Sequence, residues 1–180
     1  AYLRVDENSG QTATDSTKNS FDDEFGDNHS AIEFHGYNEG WDDYVSLGTN
    51  ESLKPVEAIT VEAWIKPYSL GEDVGSWDGI ITNLQDNDDQ ESGYGLFYYP
   101  NNGIMWWLST QDSESDGYAS FPNVAVDLNQ WTHLAGTYSS ASGEMKLYKN
   151  GALVGSTSIT GNINWDYTPN SCRLGHYFDK

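Results

Sequence analysis

Two Asn-Gly pairs constrain this chain more than any other feature of its sequence. Asn102 and Gly103 stand between the runs YGLFYY and IMWWLS, and Asn150 and Gly151 stand between EMKLYK and ALVGS. Asn-Gly accepts the positive φ angles that a two-residue turn requires, so each pair predicts a tight β-hairpin. We therefore expect 94–99 to pair with 104–109, and 144–150 to pair with 152–159.

The rest of the chain repeats short apolar and aromatic runs that are separated by Gly, Asn, Asp and Pro, and helix-period segments are almost absent. This pattern is typical of an all-β, antiparallel two-sheet sandwich. A length of 180 residues fits one such domain, so we expect 1–180 to be a single domain. The predicted strands are 2–6, 31–36, 44–48, 59–67, 79–84, 94–100, 104–109, 118–121, 130–138, 144–150, 152–159 and 172–178.

Alternation along these strands separates a core face from an outer face, because successive strand side chains point to opposite sides of a sheet. The positions predicted to face the core are Ile59, Val61, Ala63 and Ile65 in one strand and Ile104, Trp106 and Leu108 in another. The intervening positions then face outward. If these strands share one sheet, its outer surface is lined by Trp64, Phe97, Tyr99 and Trp107.

The charge of the chain excludes several classes of partner. Asp and Glu number 28 against 8 Lys and Arg, which gives a net charge of -20. Nucleic acid is not expected as a partner, because phosphate binding needs clustered Lys and Arg, and an anionic membrane surface is disfavoured for the same reason. No apolar run approaches transmembrane length, so no membrane insertion is expected.

The only cysteine of the chain, Cys172, has no partner for an intramolecular disulfide. It lies in a strand-like run, where a free cysteine is typically a small buried hydrophobe rather than a nucleophile. The four histidines show no HExxH motif or close pairing, so the sequence gives no support to zinc chemistry.

Several segments resemble a known family. AITVEAWIKP (58–67), NQWTHLAGTYSSASGEMKLYKNGALVGS (129–156) and RLGHYFD (173–179) are similar to the laminin-G-like, concanavalin-A-like lectin jelly rolls. The opening 1–26 and the segment IEFHGYNEGWDDYVSLG (32–48) resemble the same family, and SSASGE (139–144) resembles the related pentraxins. The resemblance covers nearly the whole chain in the expected order, and it implies a concanavalin A-like jelly roll in an extracellular binding module.

One departure from the family bears on partners. Family members usually continue past the LG…FD strand with a further strand that pairs back near the N-terminus, and this sequence stops at Lys180. The closing C-terminal strand is therefore expected to be missing from this chain, cleaved from it or supplied by another chain. An open position there would leave a sheet edge free for a second chain or for self-association.

The resemblance also implies calcium as a cofactor. Calcium takes six to eight oxygen ligands from carboxylates, carbonyls and water, and acidic loops supply such ligands. One candidate loop is 15–24, with Asp15 as the expected ligand. The other is 85–92, with Asp86, Asp88 and Asp89 as donors and Asp179 expected nearby. The alternative is that these loops are only a solvated acidic surface.

Aromatic residues are the candidates for ligand contact, because a planar ring can stack on the apolar face of a sugar. The expected ligand-binding residues are Trp77, Tyr99, Trp107 and Tyr118, with Trp64 behind them. The alternative for any single ring is a place in the core or in a cross-strand pair.

An enzymatic function is not expected. Relatives that hydrolyse polysaccharides carry a strand of alternating carboxylates of the type E-x-D-x-x-E, and no such strand occurs here. The preferred interpretation is a non-catalytic, extracellular, calcium-dependent module that binds a glycan or another cell-surface ligand. Two alternatives remain open: a structural subunit of an extracellular assembly, completed by a strand from another chain, and a polysaccharide-active enzyme.

Overall fold

The structure, a computed structural model, describes residues 2–4, 31–34, 43–69, 78–85, 91–99, 103–112, 124–167 and 171–176. These residues form strands joined by turns and one short 3-10 helix, Glu51–Leu53. Among them no helix is long and apolar enough to cross a membrane. The strands are β1 Tyr2–Arg4, β2 Ile32–Glu33, β3 Val45–Gly48, β4 Ala58–Lys66, β5 Asp78–Gln85, β6 Ser92–Tyr99, β7 Gly103–Leu108, β8 Thr132–Ser139, β9 Glu144–Lys149, β10 Ala152–Ser158 and β11 Cys172–Leu174.

The strands form two antiparallel sheets. The six-stranded sheet has the order β10-β9-β8-β4-β1-β2, and the five-stranded sheet has the order β3-β11-β5-β6-β7. This arrangement confirms the predicted all-β, two-sheet jelly-roll sandwich. The predicted strand 118–121 lies outside the described residues, and the expected open sheet edge stays a prediction.

Both predicted hairpins are confirmed, although in the first one Gly103 pairs with Tyr99 as the first residue of β7 and does not belong to a two-residue turn. Strands β6 and β7 pair antiparallel from Tyr94 opposite Leu108 to Tyr99 opposite Gly103, and β9 pairs with β10 across the second turn. In that turn Asn150 has a φ of 51° and Gly151 a φ of 77°. These are the positive angles that a two-residue hairpin turn requires, and they explain why Asn-Gly occupies this place.

The hydrophobic core lies between the two sheets. The six-stranded sheet contributes Val61, Ala63 and Ile65 of β4, and the five-stranded sheet contributes Ile104, Trp106 and Leu108 of β7, as the alternation predicts. The intervening β4 residues Glu62 and Trp64 are exposed on the outer face.

Trp106 connects the two sheets. Its indole is completely buried, and its Nε1 donates a hydrogen bond of 3.1 Å to the backbone carbonyl of Thr137 in the opposite sheet. The ring lies over Gly136, where a Cβ atom would come within 2.7 Å of Trp106 Cε3. A glycine at position 136 therefore lets the backbone of β8 approach the indole closely.

Cys172 is buried, as predicted. Its side chain lies beside the Tyr94 hydroxyl group, and burial raises the pKa of the thiol to about 11. A thiol with so high a pKa is mainly protonated at neutral pH, and the thiolate is the reactive form. Cys172 is thus a packing residue of β11 in this structure.

The expectation that Trp64 and Trp107 share one outer surface is wrong. Strand β4 pairs with β1 and β8, whereas β7 pairs with β6, so the two tryptophans lie in different sheets. Because each points away from the core, they stand on opposite sides of the sandwich. Alternation assigns a side chain to a face of its own sheet, but it does not say which sheet the strand joins.

Replacing Gly136 tests the contact with Trp106. Gly136→Ala places a methyl group against the buried indole, and overpacking of this kind costs about 1–3 kcal/mol of unfolding free energy. Urea unfolding followed by circular dichroism measures the change. Thr137→Ala, at an outward-facing side chain of the same strand, is the control and should cost less than about 1 kcal/mol. Equal stability of Gly136→Ala and the unaltered protein would contradict the contact.

Candidate functional site

The outer face of the six-stranded sheet carries the outward-pointing side chains of β4, β8, β9 and β10. Backbone pairing arranges them in four cross-strand rows, in each of which the side chains stand side by side. From one end to the other, the rows are Trp64–His133, then Glu62–Ala135–Tyr148–Leu153, then Thr60–Thr137–Lys146–Ser156, and finally Ala58–Ser139–Glu144–Ser158. We call this surface the four-row face.

The first row is an aromatic end. Trp64 is 40% exposed, and its ring centroid lies 5.2 Å from that of His133, with the two planes tilted by 51°. His133 Nε2 lies 3.5 Å from a carboxylate oxygen of Glu62 in the next row. Trp131, two residues before His133 in the chain, is 43% exposed. This end therefore presents a ring that is held by its neighbours yet open to solvent.

The other end of the four-row face is a shallow groove of about 380 Å³. Its lining includes four Ser and Thr residues, Thr60, Thr137, Ser139 and Ser142, together with Glu144 and Lys146, and is completed by Ala58, Ile59 and Tyr138. Hydroxyl groups both donate and accept hydrogen bonds, so this lining suits a ligand that is itself rich in hydroxyls.

The two charged side chains of the groove, Lys146 and Glu144, form a salt bridge with each other. Lys146 Nζ donates a hydrogen bond of 2.8 Å to Glu144 Oε2. This hydrogen bond raises the pKa of Lys146, so the ammonium group stays charged and its charge is balanced locally. The groove consequently offers polarity without an excess of either sign.

The outer face of the five-stranded sheet is more closed. Trp107, Phe97, Met105 and Leu84 form a second apolar cluster there, and none of them is more than 5% exposed. Further along the sheet, the Arg173 guanidinium lies 4.7 Å from the centroid of the Tyr44 ring, and its Nε donates to Ser171 Oγ at 3.0 Å. Aromatic and polar contacts thus fix the arginine within the surface of the sheet.

The structure corrects the expectation for Trp107. At 5% exposure its indole cannot serve as an open stacking platform, because it packs into the second apolar cluster. Tyr99 ends β6 opposite Gly103 in the backbone register, and its expected ligand role stays a prediction.

The remaining predicted site residues lie outside the described residues. These are the aromatic residues Trp77 and Tyr118 and the calcium candidates Asp15, Asp86, Asp88, Asp89 and Asp179. Within the described ranges, no group of three or more His, Cys, Asp or Glu residues could hold a metal ion. The calcium sites therefore stay a prediction.

Sequence reasoning placed Trp64 on an outer face but missed the groove. The signal was available in part, since Thr137 and Lys146 are outward positions of strands that the second hairpin and its neighbour predict. What was lacking was the register that sets Thr137 beside both Thr60 and Lys146. The sequence interpretation did not count His133 among the site residues, and the structure places its ring beside that of Trp64 on the outer face.

The fold and this surface define a β-sandwich with an exposed aromatic and hydroxyl-lined sheet face. A laminin-G-type family model described as the concanavalin A-like lectin/glucanases superfamily matches residues 38–179. The chain belongs to this superfamily, which confirms the resemblance that its sequence segments indicate. No curated protein matches the chain in a sequence comparison.

Solved structures share the fold at low sequence identity. The carbohydrate-binding module CBM40 of the Ruminococcus gnavus IT-sialidase, bound to α2,3-sialyllactose, is 17% identical with a TM-score of 0.60, and the match covers 81% of this chain and 79% of that one. The binding domain of botulinum neurotoxin serotype G is 17% identical with a TM-score of 0.52, covering 78% of this chain and 33% of that one. These likenesses show a common sandwich architecture.

The different settings of the two tryptophans predict losses of stability of different size. Trp107→Ala removes a buried indole and should cost about 3–5 kcal/mol of unfolding free energy. Trp64→Ala changes an exposed ring and should cost about 1 kcal/mol or less. Urea unfolding of both variants measures the difference. Similar losses in the two variants would mean that the indole of Trp107 is not packed as described.

Proposed function

We propose that this protein is a non-catalytic, extracellular carbohydrate-binding module whose ligand contacts the four-row face. The observation that carries the proposal is an exposed tryptophan, Trp64, on the same sheet face as a groove lined by hydroxyl groups. An indole face supplies apolar contact, and hydroxyl groups hydrogen-bond to the rim of a sugar ring.

The rigidity of the face supports this function. Trp64, Thr60 and Thr137 all stand on strands whose alternate residues are anchored in the core. A binding site on such strands loses little conformational entropy when its ligand arrives. The proposal therefore needs no large rearrangement of the described residues.

Membership of a lectin and glucanase superfamily agrees with a carbohydrate ligand. The Ruminococcus gnavus module, which shares the fold, is a carbohydrate-binding module bound to α2,3-sialyllactose. We extend only the ligand class, a glycan, to this chain, and the position of the contact on the four-row face is our own proposal.

The placement of carboxylates on the four-row face supports a binding role over hydrolysis. Hydrolysis of a glycosidic bond requires two carboxyl groups about 5–10 Å apart. Glu62 and Glu144 are two strands and two rows apart, which strand geometry converts to about 16 Å between their backbones. In addition, Glu62 lies beside His133, and Glu144 binds Lys146.

We also propose calcium as the cofactor. The family resemblance implies ions at loops 15–24 and 85–92, with Asp15, Asp86, Asp88, Asp89 and Asp179 as donors. A net charge of -20 agrees with bound cations, because they reduce repulsion among the carboxylates. Extracellular fluid, where calcium is abundant, suits loops of this composition.

Glycan retention tests the proposed function directly. On a broad glycan array with calcium present, the protein should bind at least one glycan, and Trp64→Ala should weaken that binding about tenfold because the stacking contact is lost. Leu47→Ala is the matched control, since Leu47 is 43% exposed on β3 of the other sheet. Absence of retention across the whole array would contradict the proposal.

Thermal melting tests calcium. At a calcium concentration one hundred times Kd, a single site adds about 2.7 kcal/mol, which should raise Tm by roughly 5–10 °C relative to a sample in chelator. The double variant Asp88→Asn, Asp89→Asn should lose part or all of this rise. Asp127→Asn, at an exposed residue before β8, is the control and should keep it. Identical midpoints in calcium and in chelator would argue against a tight site.

A further inference from the structure

We propose that the four-row face binds a neutral glycan chain lengthwise, along β4 and β8, so that several sugar units are held at once. This inference rests on the proposed function and names its ligand class. The described residues that carry it are Trp64 at one end, the groove around Thr137 at the other, and the row between them.

The dimensions of the face exceed those of a single sugar. Neighbouring rows are two residues apart along β4 and β8, so the four rows span about 20 Å from Trp64 to Ala58. Trp64 and the groove are too far apart to contact the same ring. A ligand that uses both must therefore extend over the row between them.

The middle row is low at its centre. Its central residue is Ala135, the smallest outward side chain of β8, which stands between Glu62 and Tyr148. The short Ala135 side chain between the longer Glu62 and Tyr148 side chains makes a shallow path from the Trp64 indole to the groove. Tyr148 adds a phenol ring on the side of β9, where it can contact a sugar face.

The side chains along this path change from aromatic at Trp64 to hydroxyl-rich in the groove. Trp64 supplies a stacking surface, whereas Thr60, Thr137 and Ser139 supply neutral donors and acceptors. Ser142 is held in place by its contacts, since its Oγ accepts from the Glu144 backbone N–H at 3.3 Å and donates to the Ser139 carbonyl at 3.4 Å. An extended glycan has ring faces and hydroxyl groups in every unit, so one unit can stack on Trp64 while another forms hydrogen bonds in the groove.

Charge favours a neutral chain over an anionic one. The Lys146 ammonium is already bound to Glu144 and is therefore not available to an anionic ligand, while the exposed Glu62 carboxylate adds a negative charge between the indole and the groove. A polyanionic glycan would also approach a protein of net charge -20, which repels it at long range. Neutral hydroxylated chains meet neither obstacle.

Affinity electrophoresis followed by calorimetry tests this inference. The gels contain neutral polysaccharides (β-glucan, xyloglucan, galactomannan and linear arabinan) or the anionic polygalacturonate and alginate. We expect retardation by at least one neutral polymer. Calorimetry with its oligosaccharides, from dimer to hexamer, should show affinity rising about tenfold or more with length, the factor that corresponds to 1.4 kcal/mol.

Two variants locate the chain on the sheet. Trp64→Ala should weaken binding of every oligosaccharide, and Thr137→Gln, which fills the groove, should weaken the hexamer about tenfold while leaving the dimer unchanged. Leu47→Ala on the other sheet should change neither. Melting curves of each variant establish that the fold is intact, and a variant that fails to fold is replaced by Trp64→Phe or Thr60→Gln.

The outcomes separate this inference from the proposed function. Retention by anionic polymers alone, an affinity independent of chain length, or equal loss for dimer and hexamer in Thr137→Gln would overturn the lengthwise neutral chain while leaving a carbohydrate-binding module. If Trp64→Ala left binding unchanged, the ligand would not contact the four-row face, and both the lengthwise chain and the proposed position of the site would be overturned. Absence of retention by every polymer and on the glycan array would overturn both.

Discussion

The contact between Trp106 and β8 is the constraint on which the rest of the structure depends. A buried indole from one sheet lies over Gly136 of the other and donates its hydrogen bond to the Thr137 carbonyl. Because the interior is close-packed, this contact fixes both the spacing of the sheets and the position of β8. Strand β8 pairs with β4 on one side and β9 on the other, so this contact anchors the central strand of the four-row face.

The two outer faces of the sandwich make different use of their aromatic residues. On the five-stranded sheet, Trp107 and Phe97 are withdrawn into an apolar cluster, and they contribute to stability. On the six-stranded sheet, Trp64 stays open beside His133, and the groove beyond it is polar. Of the two outer faces, as far as the structure describes them, the one that we propose for ligand binding is the one whose exposed tryptophan lies outside the hydrophobic core.

Much of the fold could be predicted from local patterns in the sequence. The Asn-Gly turns gave both hairpins, and alternation gave the inward set Val61, Ala63 and Ile65 and the outward place of Trp64. The pairing of β4 with β8, whose residues lie about 70 positions apart in the chain, could not be predicted. Alternation repeats every two residues whatever the neighbouring strand is, so it carried no information that would separate Trp64 from Trp107 or assemble the groove.

Thr137 combines two tasks that belong to different parts of the same residue. Its backbone carbonyl receives the Trp106 hydrogen bond, while its side chain lines the groove. Substitution replaces the side chain and keeps the carbonyl, so outward positions of β4, β8 and β9 are open to variation without direct loss of that hydrogen bond. A library randomised at those positions could therefore yield binders of new specificity on an unchanged framework, which makes the sandwich a natural scaffold for protein engineering.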